Sequence, residues 1–224
     1  MASPGAKKLA LAVDGGHQVS ALLIAPPGAD ACYVLAHGAG VGMTHASMET
    51  VAVELAARGI ATLRYQFPYM EQGSKRPDPP ALCHATVRAA VAKAGELALP
   101  LIAGGRSFGG RMTSQAQAGS PLPGVDGLAF LGFPLHPAGK PSDERAKHLF
   151  DVAIPMLFLQ GTRDALAELS LLRPLVQRLG PRATLTLFED ADHSFHVPAK
   201  TGRKDAEVRG EMLDALAAWA RSLR

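Results

Sequence analysis

Short apolar runs alternate along the chain with longer stretches of helical period, and this alternation restricts the fold more than any other feature. Val, Ile, Leu and Phe fill the short runs, and several of these runs have no polar face, as central strands of a parallel sheet should. The pattern is typical of repeated strand–helix–strand units. It predicts an α/β fold with a mostly parallel central sheet and helices on both faces.

Seven strands and five helices are predicted from these runs. The strands cover residues 18–25, 31–36, 60–65, 99–103, 127–132, 155–160 and 183–189. The helices cover residues 49–58, 82–96, 110–118, 166–179 and 205–223. Neither an internal repeat nor an interdomain linker interrupts the series, so residues 1–224 are predicted to form a single domain.

Composition and charge restrict the partners of the chain. Charged residues make up 19% of it and the net charge is +3, with Lys and Arg scattered rather than clustered. Nucleic-acid binding usually needs a basic cluster, so no nucleic-acid partner is expected. Because no run reaches the roughly 18 apolar residues of a membrane span, no membrane association is expected either. The sequence gives no indication of oligomeric state.

The two cysteines, Cys32 and Cys83, lie far apart and outside any Cys-x-x-Cys spacing. Two buried, reduced thiols are expected rather than a disulfide or a metal site. The N-terminal segment contains no continuous apolar stretch of the kind that signal peptides have, since Asp14, Gly15 and Gly16 interrupt it. These features predict a cytoplasmic location.

Glycines enclose one serine in the segment GGRSFGGRM, residues 104–112. The segment contains the pattern Gly-x-Ser-x-Gly around Ser107 and lies between a predicted buried strand and a predicted helix. In that setting, Gly105 and Gly109 let backbone pass close to a sharp turn that exposes the serine hydroxyl above the sheet. Glycine-rich turns also bind phosphate, but neither common nucleotide-binding glycine motif occurs in the sequence. Ser107 is therefore interpreted as a nucleophile.

A serine nucleophile needs a base and an acid, and candidates for both follow later strands. Asp164 follows the predicted strand at 155–160 in QGTRDAL, and His193 follows the strand at 183–189 in EDADHSF. The carboxyl ends of parallel strands meet at one edge of a sheet, so all three side chains are expected to converge there. The order Ser, Asp, His is the order of the α/β-hydrolase arrangement.

Other acidic and basic residues near these strand ends are alternatives. The alternative acids are four carboxylates on neighbouring loops: Asp143, Glu144, Asp190 and Asp192. The alternative base is His196, which belongs to the same loop as His193. The pair of histidines lacks further ligands at metal-binding spacing, so no metal site is expected.

Hydrolysis through a serine also needs N–H donors for the oxyanion of the tetrahedral intermediate. The glycine-rich run at residues 35–42, LAHGAGVG, follows another predicted strand. One donor is assigned to the backbone N–H of Phe108, the residue after the nucleophile. The second is assigned to the N–H of Ala39 or of Gly40, and the sequence does not decide between them.

Two proline-rich segments, residues 66–80 and 133–142, follow predicted strands and are long for such connections. They are predicted to form the rim of a pocket beyond the strand ends. His37, Tyr69 and His136 are candidate rim residues, although His37 is also expected to orient its own loop by hydrogen bonding. Arg111 is interpreted as a solvated or packing residue of the helix after Ser107.

The motifs HGAG, GRSFGG, GTRDAL and DADHSF resemble those of the α/β-hydrolase superfamily over nearly the whole chain. More narrowly, LAHGAGVGMTH, LRYQFPYME, GGRSFGGRM and GFPLHPAGKP are similar to small members without a cap. These members are related to dienelactone hydrolases, and to the family of the vertebrate testis-expressed hydrolase-like protein and a scaffold subunit of a histone-acetylating complex. The resemblance implies an α/β-hydrolase fold without a separate lid domain. Dienelactone hydrolases use a cysteine nucleophile, so Ser107 argues against dienelactone as substrate.

These observations together predict a serine hydrolase that cleaves a small acyl ester or thioester through an acyl-enzyme, without a metal or organic cofactor. The partner is a small-molecule acyl substrate, with short acyl groups preferred because the sequence has no long insertion for a lid. One alternative is a scaffold or protein-binding domain that keeps the hydrolase geometry with little catalysis. Another is a peptidase or amidase with the same three residues.

Overall fold

Eight strands form one sheet in the computed structural model, which describes residues 5–223. The strands are β1 (Lys7–Val13), β2 (His17–Ile24), β3 (Ala31–Ala36), β4 (Ile60–Tyr65), β5 (Leu101–Arg106), β6 (Val125–Leu131), β7 (Met156–Gly161) and β8 (Ala183–Phe188). All seven strands predicted from the apolar runs are present.

Six α-helices connect or follow the strands within the described residues. They are α1 (Ala46–Ala56), α2 (Pro68–Glu71), α3 (Pro80–Gly95), α4 (Phe108–Gly119), α5 (Leu169–Leu179) and α6 (Asp205–Ser222). A 3-10 helix covers Glu144–Asp151. The five predicted helices are found, and the short α2 lies inside a segment predicted to be irregular. In residues 5–223, none of the helices has both the length and the apolar character to cross a membrane.

The strand order in the sheet is β1-β2-β4-β3-β5-β6-β7-β8. β2 pairs antiparallel with β1 and with β4, whereas all pairs from β4 to β8 are parallel. The carboxyl ends of β3, β5, β6, β7 and β8 therefore lie along one edge of the sheet. In an open parallel sheet this edge is where ligands bind.

Helices cover both faces of the sheet, because the central strands are apolar on both sides. On one face α3, α4 and α5 pack on a core that contains Val87, Met112 and Leu175. On the other face α1 and α6 pack on a second core, which contains Leu55 and Leu216. This is the α/β-hydrolase fold, and the described residues contain no separate lid domain.

The prediction missed the first strand, β1. In KKLALAV, Leu11 and Val13 are buried while the residues between and before them are mostly exposed, as expected for an edge strand. The Asp-Gly-Gly segment that interrupts the apolar run is the turn that joins β1 to β2, and Gly15 and Gly16 both have positive φ. A feature used to argue against a signal peptide is therefore a hairpin turn.

Candidate active site

Ser107 occupies a sharp turn between β5 and α4. Its φ of 50° and ψ of −117° define a backbone conformation that residues other than glycine rarely adopt. Its N–H donates to the carbonyl of Leu131 on β6 at 3.2 Å, and its carbonyl accepts from the N–H of Arg111 at 3.1 Å. The strained turn is thus held from both sides, and Ser107 lies at the carboxyl edge of the sheet.

The positions around Ser107 require glycine because the backbone of neighbouring segments lies too close for a Cβ atom. A Cβ on Gly109 would lie 2.5 Å from the carbonyl oxygen of His37, and a Cβ on Gly105 would overlap Ala36. The flanking glycines are equally constrained, since a Cβ on Gly104 would overlap the carbonyl of Ala129. All these contacts involve backbone that cannot move without disturbing the sheet.

His193 lies between Ser107 and Asp164. Its Nε2 is 2.8 Å from the hydroxyl oxygen of Ser107, and its Nδ1 is 2.6 Å from Oδ2 of Asp164. The Asp164 side chain is 0% exposed and the His193 side chain is 22% exposed, so the carboxylate is buried behind a partly accessible imidazole. The structure therefore brings together the three residues predicted to carry the chemistry.

Two further groups hold the Asp164 carboxylate. Its Oδ1 accepts from the N–H of Leu166 at 2.8 Å, and its Oδ2 accepts from the side-chain amide of Gln160. The amide oxygen of Gln160 in turn accepts from the N–H of Phe133 at 2.9 Å. Sequence reasoning missed Gln160, although an amide in the otherwise apolar strand MLFLQG was a usable signal; in the structure this side chain is fully buried.

Two of the alternative acids and the alternative base have partners outside the series Asp164, His193 and Ser107. Asp192 accepts from the N–H groups of Ser194 and His196, which shapes its own loop. Asp143 is 3.7 Å from Arg178 on the surface. His196 lies 2.9 Å from Asp205 with an exposed side chain, and this carboxylate raises the pKa of His196.

The backbone donors predicted for an oxyanion border the same site. Phe108 is the first residue of α4, so its N–H has no acceptor within the helix. In the described part of the chain, the N–H groups of Ala39 and Gly40 donate to no other backbone or side-chain group. Ala39 and Gly40 line a cavity with Ser107, and the Tyr69 hydroxyl holds their loop by donating to the carbonyl of Ala39 at 3.1 Å.

The three candidate rim residues are buried, so the prediction that they form the rim was wrong. His37, Tyr69 and His136 have relative exposures of 0%, 1% and 0%. His37 joins two loops, because its Nδ1 donates to the Gly38 carbonyl while its Nε2 accepts from the N–H of Phe67. Burial lowers the pKa of His37 to about 4, so the ring is neutral near pH 7.

His136 also has a structural position. Its Nδ1 lies 2.9 Å from the carbonyl of Pro137, and its Nε2 accepts from the N–H of Glu168 at 3.3 Å. The polar atoms of both histidines are thus consumed by neighbouring backbone, which explains why these side chains fold inward instead of lining the site.

Two cavities meet at Ser107. The histidine-side cavity, of about 540 Å³, is also lined by Gly40, Arg106 and His193. The arginine-side cavity, of about 430 Å³, is also lined by Phe108, Arg111, Pro134 and Arg145. Ala39 and Leu166 border both. The predicted rim segments contribute Pro77, Pro80 and Pro134 to the arginine-side cavity.

A family model described as an alpha/beta hydrolase domain matches residues 29–221. Among solved structures, an α/β serine hydrolase homologue from Coxiella burnetii has a TM-score of 0.75 at 19% identity, covering 96% of this chain and 98% of that chain. A serine hydrolase without a lid from Xanthomonas campestris has a TM-score of 0.72 at 21% identity, covering 98% and 97%. A dienelactone hydrolase from Anabaena variabilis has a TM-score of 0.69 at 21% identity, covering 97% and 96%. At these identities the structural likeness concerns the fold.

Proposed function

The chain belongs to the alpha/beta hydrolase family, and on that premise we propose that it is a serine hydrolase of small acyl esters or thioesters. The observation that carries the proposal is the hydrogen-bonded series Asp164, His193 and Ser107, which ends at the junction of two cavities. A serine hydroxyl is a poor nucleophile unless a base removes its proton, and this geometry supplies one.

In the first step, Oγ of Ser107 attacks the carbonyl carbon while Nε2 of His193 takes the hydroxyl proton. The buried Asp164 carboxylate accepts a hydrogen bond from Nδ1, which leaves Nε2 free to act as base and stabilises the imidazolium that forms. Gln160 and the N–H of Leu166 keep this carboxylate in place.

Negative charge then develops on the carbonyl oxygen of the substrate. The N–H of Phe108 and the N–H of Ala39 or Gly40 are the donors proposed to stabilise it. They act without reorganisation because each belongs to a fixed element, the start of α4 and a loop tied down by Tyr69.

In the remaining steps, the His193 imidazolium returns its proton to the leaving oxygen or sulfur, and the acyl group stays on Ser107. Water, deprotonated by His193, then attacks the acyl-enzyme and releases the acid and the free serine. Each step uses the same imidazole as base and then acid, so no cofactor enters the scheme.

The proposal includes a preference for short acyl groups, because the cavities beside Ser107 are open and of moderate volume. It also includes a cytoplasmic location, supported by two buried, unpaired cysteines, Cys32 and Cys83. The narrower kinship with the testis-expressed hydrolase-like family is proposed from the sequence motifs.

A panel of 4-nitrophenyl acetate, butyrate and decanoate tests the proposal with wild type, Ser107→Ala and the control Ser120→Ala. Ser120 follows α4 and is exposed. We expect hydrolysis fastest for the short esters, a loss of about 10⁴-fold or more in Ser107→Ala, and wild-type rates in the control. Equal rates in wild type and Ser107→Ala would reject Ser107 as the nucleophile for these esters. If thioesters and amides also showed no Ser107-dependent hydrolysis, a binding domain would be favoured instead.

A further inference from the structure

Two arginines line the arginine-side cavity next to Ser107. They are Arg111, on the first turns of α4, and Arg145, on the 3-10 helix at Glu144–Asp151. Within residues 5–223, neither guanidinium forms a hydrogen bond or an ion pair with another side chain or with backbone. Both side chains are only partly exposed.

Arg111 contacts the turn that contains Ser107. Its backbone N–H donates to the carbonyl of Ser107 at 3.1 Å, and its guanidinium carbon lies 5.9 Å from the centre of the Phe108 ring. Its Nε is buried without a partner among the described residues. Arg111 lines the arginine-side cavity, and an acceptor bound in that cavity would supply the partner that its terminal nitrogens lack.

The charge around Arg111 favours an anion as that acceptor. Burial and the nearby charge of Arg145 lower the pKa of Arg111, and Arg111 in turn helps to lower the pKa of His148. Asp78 also lines the cavity, but its Oδ2 accepts from the N–H of Tyr69 at 2.7 Å and it forms no ion pair with either arginine. Two cations thus line one cavity, and neither is paired with an anion in the described part of the chain.

The position of His193 decides which half of a substrate would enter this cavity. The leaving group must receive its proton from Nε2 of His193, and His193 lines only the histidine-side cavity. The leaving group therefore belongs on that side, and the acyl group extends into the arginine-side cavity. Met112, Pro134 and Leu166 supply apolar surface there for methylene groups.

From these observations we propose that the acyl group of the substrate ends in a negatively charged group, such as a second carboxylate, which Arg111 and Arg145 bind. The substrate class is then a monoester or monothioester of a short dicarboxylic acid. Planar guanidinium groups suit this role because they bind carboxylates through two parallel hydrogen bonds. The proposal rests on the proposed hydrolase function and assigns its substrate.

Two ethyl esters and one acetate ester of similar size test this assignment. Their hydrolysis is followed by NMR. Monoethyl glutarate carries the charge on the acyl side, 5-acetoxypentanoate carries it on the alcohol side, and ethyl pentanoate is neutral. We expect kcat/KM for monoethyl glutarate to exceed the other two by about 10-fold or more. Arg111→Gln and, separately, Arg145→Gln should each lower the ratio of glutarate to pentanoate hydrolysis by about 10- to 100-fold.

The matched control is Arg173→Gln, an exposed arginine on α5, which should keep the wild-type ratio. Ser107-dependent hydrolysis of all three esters without a preference for glutarate would overturn the substrate assignment and leave the hydrolase proposal standing. A preference for 5-acetoxypentanoate would overturn the assignment of the acyl side. No Ser107-dependent hydrolysis of any ester would overturn both proposals. If one arginine variant fails to fold, the other and the wild-type preference still decide the result.

Discussion

Nε2 of His193 lies 2.8 Å from the hydroxyl oxygen of Ser107, although the two residues are 86 positions apart in the sequence. Ser107 follows β5 and His193 follows β8, and the parallel sheet brings both strand ends to one edge. The distance is that of a hydrogen bond, so proton transfer from serine to histidine needs no rearrangement of the protein.

The buried carboxylate of Asp164 should be needed for rate more than for folding. Asp164→Asn keeps the size of the side chain but presents an amide to Nδ1 of His193 and disfavours the reactive tautomer, so kcat should fall by about 10³- to 10⁴-fold. The control Asp143→Asn, on an exposed carboxylate near Arg178, should change kcat less than about twofold. Similar losses in the two variants would reject Asp164 as the acid.

Gln160 should stabilise the protein through the carboxylate that it holds. Gln160→Leu removes the donor to buried Asp164 and the acceptor for the N–H of Phe133, so the free energy of unfolding should fall by about 1–3 kcal/mol. Urea denaturation measures this loss. The exposed Gln177→Leu is the matched control and should stay within about 0.5 kcal/mol of wild type. A free energy of unfolding equal to that of wild type in Gln160→Leu would show that the amide is not needed for stability.

The glycines around Ser107 should tolerate no side chain. Gly109→Ala places a Cβ 2.5 Å from the His37 carbonyl oxygen, so we expect a loss of at least about 2 kcal/mol in unfolding free energy. Gly119→Ala, at the end of the same helix, meets nothing within 4 Å and should stabilise the protein by about 0.4–1 kcal/mol. Thermal unfolding of both variants checks the contrast, and a neutral Gly109→Ala would contradict it.

His148 should make the folded state sensitive to acid. Burial, together with the charges of Arg111 and His84, lowers its pKa from 6.5 to about 4. Between these pH values the unfolded chain binds a proton here that the folded protein does not, so stability falls as the pH falls from 6.5 to 4. His148→Gln, which keeps an N–H donor for the Ser114 hydroxyl, should lose less stability between pH 7 and 4.5. Urea denaturation at the two pH values measures the loss, and an equal loss of stability in wild type and His148→Gln would contradict this prediction.

Patterns confined to one strand end were predictable from the sequence. Gly-x-Ser-x-Gly after an apolar run predicts the turn at Ser107, and the order of Asp164 and His193 predicts which strand ends carry them. These predictions depend on strand direction alone, which βαβ units fix. The strands from β2 to β8 follow from the same apolar runs.

Features that depend on packing between elements were not predictable in this way. The amide at the end of the apolar strand β7 was a signal in the sequence, but its partners, Asp164 and the N–H of Phe133, follow only from the packing of the folded chain. His37 lies in the loop after β3 and Tyr69 in the short helix α2, within a segment that the sequence predicts to be irregular and exposed. Both side chains nevertheless fold inward, where they bond with backbone groups of neighbouring segments. The importance of Arg111 and Arg145 depends on their meeting beside Ser107.

Covalent labelling by a fluorophosphonate tests directly whether His193 activates Ser107. Intact-protein and peptide mass spectrometry would locate and quantify the adduct in wild type, Ser107→Ala and His193→Ala, with His196→Ala as the matched control. We expect one adduct on Ser107 in wild type and in the control, none in Ser107→Ala, and a rate at least about 10²-fold lower in His193→Ala. Equal labelling of wild type and Ser107→Ala, or undiminished labelling of His193→Ala, would contradict it.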